Sequence, residues 1–185
     1  FYKNDESVAL VFPGILWVSI IFASTIAITR TFDQERDGGC LRALALIPGT
    51  EVSLYVGKLI VNLMFLGIFE VVLVPLIALS FDVPLWDNLL EYSAVIASVT
   101  LGFAAIGTLV SAMLVHSHLR DVMLPILLYP LAVPLIIAGV KVTAMIFGNQ
   151  PSEDVWAWIR VVAGADVLFI CVSVWLFRWV LSAIE

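Results

Sequence analysis

The 185-residue chain is 62% hydrophobic and 13% charged, with a net charge of -6 and a mean hydropathy of +1.10. Water-soluble domains carry about 25% charged residues, so most of this surface requires lipid as its solvent. No basic stripe is present to neutralise phosphates, which excludes nucleic acid as a partner.

The chain opens at Phe1 with a polar run, Lys3-Asn4-Asp5-Glu6-Ser7, and no basic-then-apolar leader. A further span ahead of Phe1 is therefore expected. A bilayer core of ~30 Å takes about 20 apolar residues as a helix. Five segments qualify, at 8–29, 59–80, 92–115, 122–147 and 155–184. Period-2 alternation is absent and open sheet edges cannot face lipid, so all five are read as helices. The expected fold is an all-α polytopic membrane helix bundle, a single transmembrane domain over 1–185.

The first connection, 30–58, carries Arg30, Arg36, Arg42 and Lys58. Within it Asp33-Gln34-Glu35 offers an acidic helix start, Leu41, Leu44 and Ala45 recur at helical spacing, and Pro48-Gly49 closes the segment. Such an amphipathic helix lies on the membrane surface, docks in a groove of a soluble partner, or stands alone. The second span holds Glu70. A carboxylate near mid-bilayer costs at least about 2.5–3.5 kcal/mol, so it should be neutralised, paired or facing a cavity. It is either a polar group at an interface or substrate path, or an acid hydrogen-bonded to a neighbouring helix.

The 81–91 loop carries Asp82, Asp87 and Glu91 without Lys or Arg. The third span presents Ala97, Gly102, Ala105, Gly107 and Ser111, a small-residue surface suited to close helix contact. The 116–121 connection holds Arg120 beside His116 and His118. Two residues of separation do not put both histidines on one helix face, and headgroup or solvent contact is expected there rather than haem ligation. In the fourth span Pro125, Pro130 and Pro134 each remove a helical N–H and predict a bend. Lys141, near that span's end, can snorkel. The last span contains Asp166, which raises the same question as Glu70, and Arg178, which can snorkel at the opposite end.

Lys and Arg concentrate in the 30–58 and 116–121 connections, which places both on the cytosolic side, the visible N-terminus outside and the C-terminus inside. Trp86, Trp156 and Trp158 fall at the external boundary as an aromatic belt. Cys40 and Cys171 form no CxxC pair, and no metal-ligand spacing occurs. Gly57-Lys58-Leu59 lacks the upstream Gly and following Ser or Thr of a phosphate loop. Nothing reads as an enzyme, so any ATP hydrolysis belongs to another chain.

Glu35, Gly38, Leu41 and Leu44 at three-residue spacing, then Leu46, Pro48 and Gly57-Lys58-Leu59, resemble the ABC-2 type exporter permeases. Their pattern is a glutamate, Gly-Thr-Leu-Glu-x-Leu, a proline and Gly-Lys at the next span. Gly39-Cys40 stands where Gly-Thr is usual, and Arg42 where Glu is usual. The resemblance implies that residues 33–52, with Glu35, Gly38, Leu41, Arg42, Leu44, Pro48 and Lys58, couple the chain to an ATP-binding subunit. Within that superfamily, Phe12-Pro13-Gly14-Ile15-Leu16-Trp17 and the run from Leu124-Pro125 through Pro130 and Pro134 to Ile136 are similar to the membrane subunits B of cytochrome c maturation. That resemblance implies a sixth, N-terminal span and a bacterial inner membrane. It also implies two permeases with two ATPase subunits and a haem-handling membrane subunit, ATP and Mg on the partner, and no cofactor held directly. Haem would be cargo of the complex, or would leave on a loaded carrier. An exporter of a lipid, glycan or drug stays open, as do a membrane scaffold and an intramembrane acid-base enzyme using Glu70 and Asp166.

Overall fold

Each apolar run folds as one helix in the computed structural model, which describes residues 5–31, 51–115, 117, 119–148 and 151–182. The helices are α1 (Asp5–Arg30), α2 (Glu51–Phe81), α3 (Leu89–Met113), α4 (Arg120–Phe147) and α5 (Ser152–Ser182), with a short 3-10 turn at Leu85–Asn88. Five stretches within them are long and apolar enough to cross a membrane, the shortest Val11–Arg30 with 20 residues. The helices alternate in direction. Arg30, Lys58 and Arg120 mark one end of the bundle, and Asp82, Asp87, Glu91, Glu153 and Asp154 mark the other.

Two differences from the hydropathy boundaries have a side-chain cause. α2 begins at Glu51, not at 59, so Gly57-Lys58-Leu59 lies inside a helix rather than at its entrance. Tyr55 explains the extension. Its ring is fully buried against Phe177, with centroids 5.3 Å apart, and its hydroxyl donates to the Ala105 carbonyl oxygen at 3.1 Å. α4 begins at Arg120, which was read as a loop cation but is only 2% exposed. Its Nη2 donates to Ser111 Oγ at 2.7 Å, which draws the start of α4 into the bundle.

α3 is the central helix. Every residue from Gly102 to Ala112 on it is buried, because small side chains there let neighbouring backbones approach closely. One of its faces, with Val95, Val99, Phe103 and Ile106, joins a core cluster that draws on all four other helices. The other, with Ala104, Ala105 and Leu109, packs on α2 and α5. Ala97 departs from the expected contact surface: it is exposed and lines a cavity described below.

The chain leaves α2 through Asp82, at φ 51 in the left-handed region. The Asp82 N–H donates to Leu79 O at 3.4 Å and the Val83 N–H to Ala78 O at 2.9 Å. That 5→2 and 6→1 pair is a Schellman cap, with Asp where glycine is commoner. α4 runs without interruption through Pro125, Pro130 and Pro134, although each proline frees the carbonyl four residues earlier. Lys141 Nζ lies 3.7 Å from the Trp158 ring centroid, a cation–π contact that holds the ammonium near the helix ends.

α1 and α4 meet where Trp17 crosses Gly139. The Trp17 Nε1–H donates to Thr143 Oγ1 at 3.1 Å, so the indole cannot swing away without losing a buried partner. A Cβ on residue 139 would stand 2.7 Å from the ring atoms. Gly139→Ala should therefore lower stability by about 1–3 kcal/mol through overpacking, read as a lower thermal unfolding midpoint in detergent. Gly164→Ala, where a Cβ meets nothing within 4 Å, should not lower it.

Candidate functional site

A hydrocarbon interior offers no water, so polar side chains there must find partners on other helices. α3 supplies them. Ser98, Thr100, Thr108 and Ser111 project from it in different directions and reach α1, α2, α4 and α5.

At the basic end these bonds form a chain. Lys58 Nζ donates to the Thr31 carbonyl oxygen at 2.8 Å, and the Thr31 hydroxyl donates to Asn62 Oδ1 at 2.7 Å. Asn62 Nδ2 donates to Thr108 Oγ1 at 2.8 Å, and the Thr108 hydroxyl donates to Ala104 O at 2.7 Å. One turn along α3, the Ser111 hydroxyl donates to Ile28 O at 3.0 Å while accepting from Arg120. Asn62, Thr108, Ser111 and Arg120 are all buried. The last turn of α1 is thus tied to α2, α3 and α4, at the point where the chain enters residues 32–50.

Deeper in the bundle stand two acids. Glu70 accepts a hydrogen bond from Thr100 Oγ1 on its Oε1. It lies about three turns, roughly 16 Å, from the Phe81 end of α2, near the middle of a ~30 Å core. Asp166 accepts from the Ser98 hydroxyl at 2.6 Å on Oδ2, while its buried Oδ1 has no hydrogen-bond partner among the described residues. That oxygen fills the space where residue 102 would carry a Cβ, so only glycine fits there. Ser98 and Thr100 stand two residues apart, about 200° around the helix, and the two acids accordingly flank α3 from different sides.

Their surroundings differ. Asp166, 2% exposed, is enclosed by α3, α4 and α5, with Leu135 against the same Gly102 surface. Glu70 instead lines a cavity of about 430 Å³ between α2, the 3-10 turn and α3. Small residues leave this space open: Gly67 and Ala97 are in its wall, with Val74, Leu85 and Ile96. Leu79 and Trp86, also in the wall, are 78% and 83% exposed, so the cavity communicates with the surface that meets lipid.

Of the residues expected to couple the chain to a partner, Lys58 is described and anchors Thr31. Glu35, Gly38, Leu41, Arg42, Leu44 and Pro48 lie outside the described residues, as do His116, His118, Cys40 and the side chain of Arg178. Among the described residues no group of three His, Cys, Asp or Glu converges as a metal site would. Sequence reading passed over Ser98, Thr100, Thr108 and Asn62, because hydroxyls and a single amide barely alter hydropathy. Their signal was the run of Ser, Thr and Gly along one span opposite an acid or amide in another.

The chain matches the CcmB protein family over residues 4–181. It is 28% identical over 142 residues to Heme exporter protein B of Rhodobacter capsulatus, covering 75% of this chain and 63% of that protein. It is 23% identical over 150 residues to Heme exporter protein B of Pseudomonas aeruginosa, covering 80% of this chain and 66% of that protein. The chain thus spans about two thirds of the length of these relatives.

Asn62 joins three elements, and its replacement should loosen α1 first. Asn62→Leu leaves Thr31 and Thr108 short of a partner, at a cost of about 1–3 kcal/mol. Amide exchange at Thr29–Thr31 should then quicken about tenfold or more. Ser19→Ala, which removes only a bond to Ile15 O within α1, should leave exchange there unchanged. Unaltered exchange in Asn62→Leu would refute the network as the anchor of α1.

Proposed function

The chain belongs to the CcmB protein family, and from that premise we propose that it is the permease subunit of an ABC transporter serving cytochrome c maturation. ATP hydrolysis takes place on a separate ATP-binding subunit. This chain pairs with a second copy and with a haem-handling membrane subunit, and the complex exports haem or releases a haem-loaded carrier. The observation that carries the reading is the family match along nearly the whole chain, together with relatives named for haem export.

Residues 33–52 are the coupling element, with Leu41 and Leu44 as its apolar edge and Arg42 beside them. The internal bonds support that assignment mechanically. Thr31 and Lys58 flank the segment on either side and are joined directly, so a push on it is delivered to α1 and α2 together. Its basic flanks support a cytosolic side for that end of the bundle in a bacterial inner membrane, with the acidic end outside. Glu70 and Asp166 are the intramembrane acids of the working cycle, and Pro125, Pro130 and Pro134 are the positions at which α4 bends.

Purification of the tagged full-length protein with its operon partners tests the reading. Leu41→Asp or Leu44→Asp should reduce the recovered ATP-binding subunit at least about tenfold, as burying a charge in an apolar contact costs 2 kcal/mol or more. Haem-stained c-type cytochromes should fall in parallel. Undiminished recovery of the ATPase in both variants would refute the coupling assignment.

Glu70→Gln keeps an oxygen for Thr100 and should leave yield and thermal midpoint unchanged while lowering cytochrome c output. Wild-type output would remove Glu70 from the mechanism.

A further inference from the structure

The cavity beside Glu70 has a polarity that ordinary membrane lipid does not match. Its volume of about 430 Å³ falls in the range of small-ligand pockets. Its wall is mostly aliphatic, and its rim at Leu79, Trp86 and Leu89 is exposed on two stretches long and apolar enough to cross a membrane. What enters therefore arrives dissolved in the membrane. An acyl chain would place its methyl end near mid-bilayer, where this cavity presents a carboxyl group.

That carboxyl is only half served. Thr100 donates to Oε1, and no second partner reaches Glu70 among the described residues. Among the described residues no Lys or Arg lines the cavity, whose other polar side chains are Tyr92 and Ser93, with Trp86 at the rim. At that rim the neighbouring charges are Asp87 and Glu91. An anionic group would meet acids at both ends and no cation to balance it.

We infer that the cavity between α2 and α3 binds a non-anionic lipophile, an apolar body carrying a hydroxyl or amino group that donates to Glu70. The donor completes the carboxyl's hydrogen bonding in a medium where an unmade bond is costly. The aliphatic wall accepts the body without specific contacts. Gly67 and Ala97 supply the room, and the site stands on this geometry whatever cargo the transporter moves.

A photoreactive diazirine analogue of hexadecanol, offered to the full-length protein in phosphatidylcholine nanodiscs, tests the site. Crosslinks should concentrate in peptides covering Gly67–Leu79 and Leu85–Ala97. Excess hexadecanol should compete about tenfold better than hexadecane or hexadecyl sulfate, the difference expected of one buried hydrogen bond. The paired variant Glu70→Leu with Thr100→Val removes both partners at once, which spares the fold an orphaned group. It should bind hexadecanol and hexadecane equally. Gly67→Leu, at a position where a Cβ meets nothing within 4 Å, should fill the space and abolish the focused labelling with the thermal midpoint retained. Labelling spread evenly over all lipid-facing helices would overturn the inference. So would equal competition by hexadecane or hexadecyl sulfate in the wild type, or an alcohol preference that survives in the paired variant.

Discussion

The buried acids, amide and guanidinium need partners that their own helices do not supply, and in this bundle one helix answers for all four. α3 bonds Asp166 through Ser98, Glu70 through Thr100, Asn62 through Thr108, and Arg120 and the α1 backbone through Ser111. Its Ala105 carbonyl also accepts from Tyr55. The reach of these short side chains is small, so the helices they serve must come close. Small residues on α3 permit that approach. Packing and polar satisfaction are thus the same requirement met twice on one element, and removal of either would open the bundle along its centre.

The same constraint separates the two acids. Asp166 is held where close packing on Gly102 leaves no room for anything else, and its hydroxyl partner fixes one oxygen. It behaves as a cross-brace between α3 and α5. Glu70 has a similar partner on the same helix but stands against open space, because Gly67 and Ala97 withhold the side chains that would fill it. Chemically alike groups at similar depth thereby acquire different surroundings. Which residue can do chemistry or binding is decided by its neighbours' volumes rather than by its own charge.

Much of this fold was legible in the sequence. Apolar runs of sufficient length dictate five helices, and the small-residue surface of the third predicts close helix contact. Ends were less legible, for identifiable reasons. Hydropathy counts Glu51, Ser53 and Lys58 against a span, yet Tyr55 finds a buried carbonyl and Phe177 across the bundle, which extends α2 by two turns. Arg120 reads as a loop cation until Ser111, nine residues earlier, is seen to receive its guanidinium. Asp82 gives no glycine signal for the cap it forms. The site is harder still: Glu70 is conspicuous as a lone acid, but the cavity beside it depends on a Gly and an Ala from two helices whose register is set by tertiary packing.

The basic-end network has a mechanical consequence for the proposed coupling. A segment joined to two helices by independent ends could move one and leave the other at rest. Here the Thr31 carbonyl accepts from Lys58, and the Thr31 hydroxyl donates to Asn62 on the same helix as Lys58. α1 and α2 are therefore cross-linked at two points less than two turns apart, which resists both sliding and rotation between them. Asn62 passes the restraint to α3, and Ser111 passes it to α4. Under the proposed coupling, a displacement applied at residues 32–50 would reach the near ends of four helices together. The far ends of α2 and α3, joined by the Asp82 cap and a short 3-10 turn, enclose the Glu70 cavity. The lever and the pocket it would act on thus lie at opposite ends of the same pair of helices.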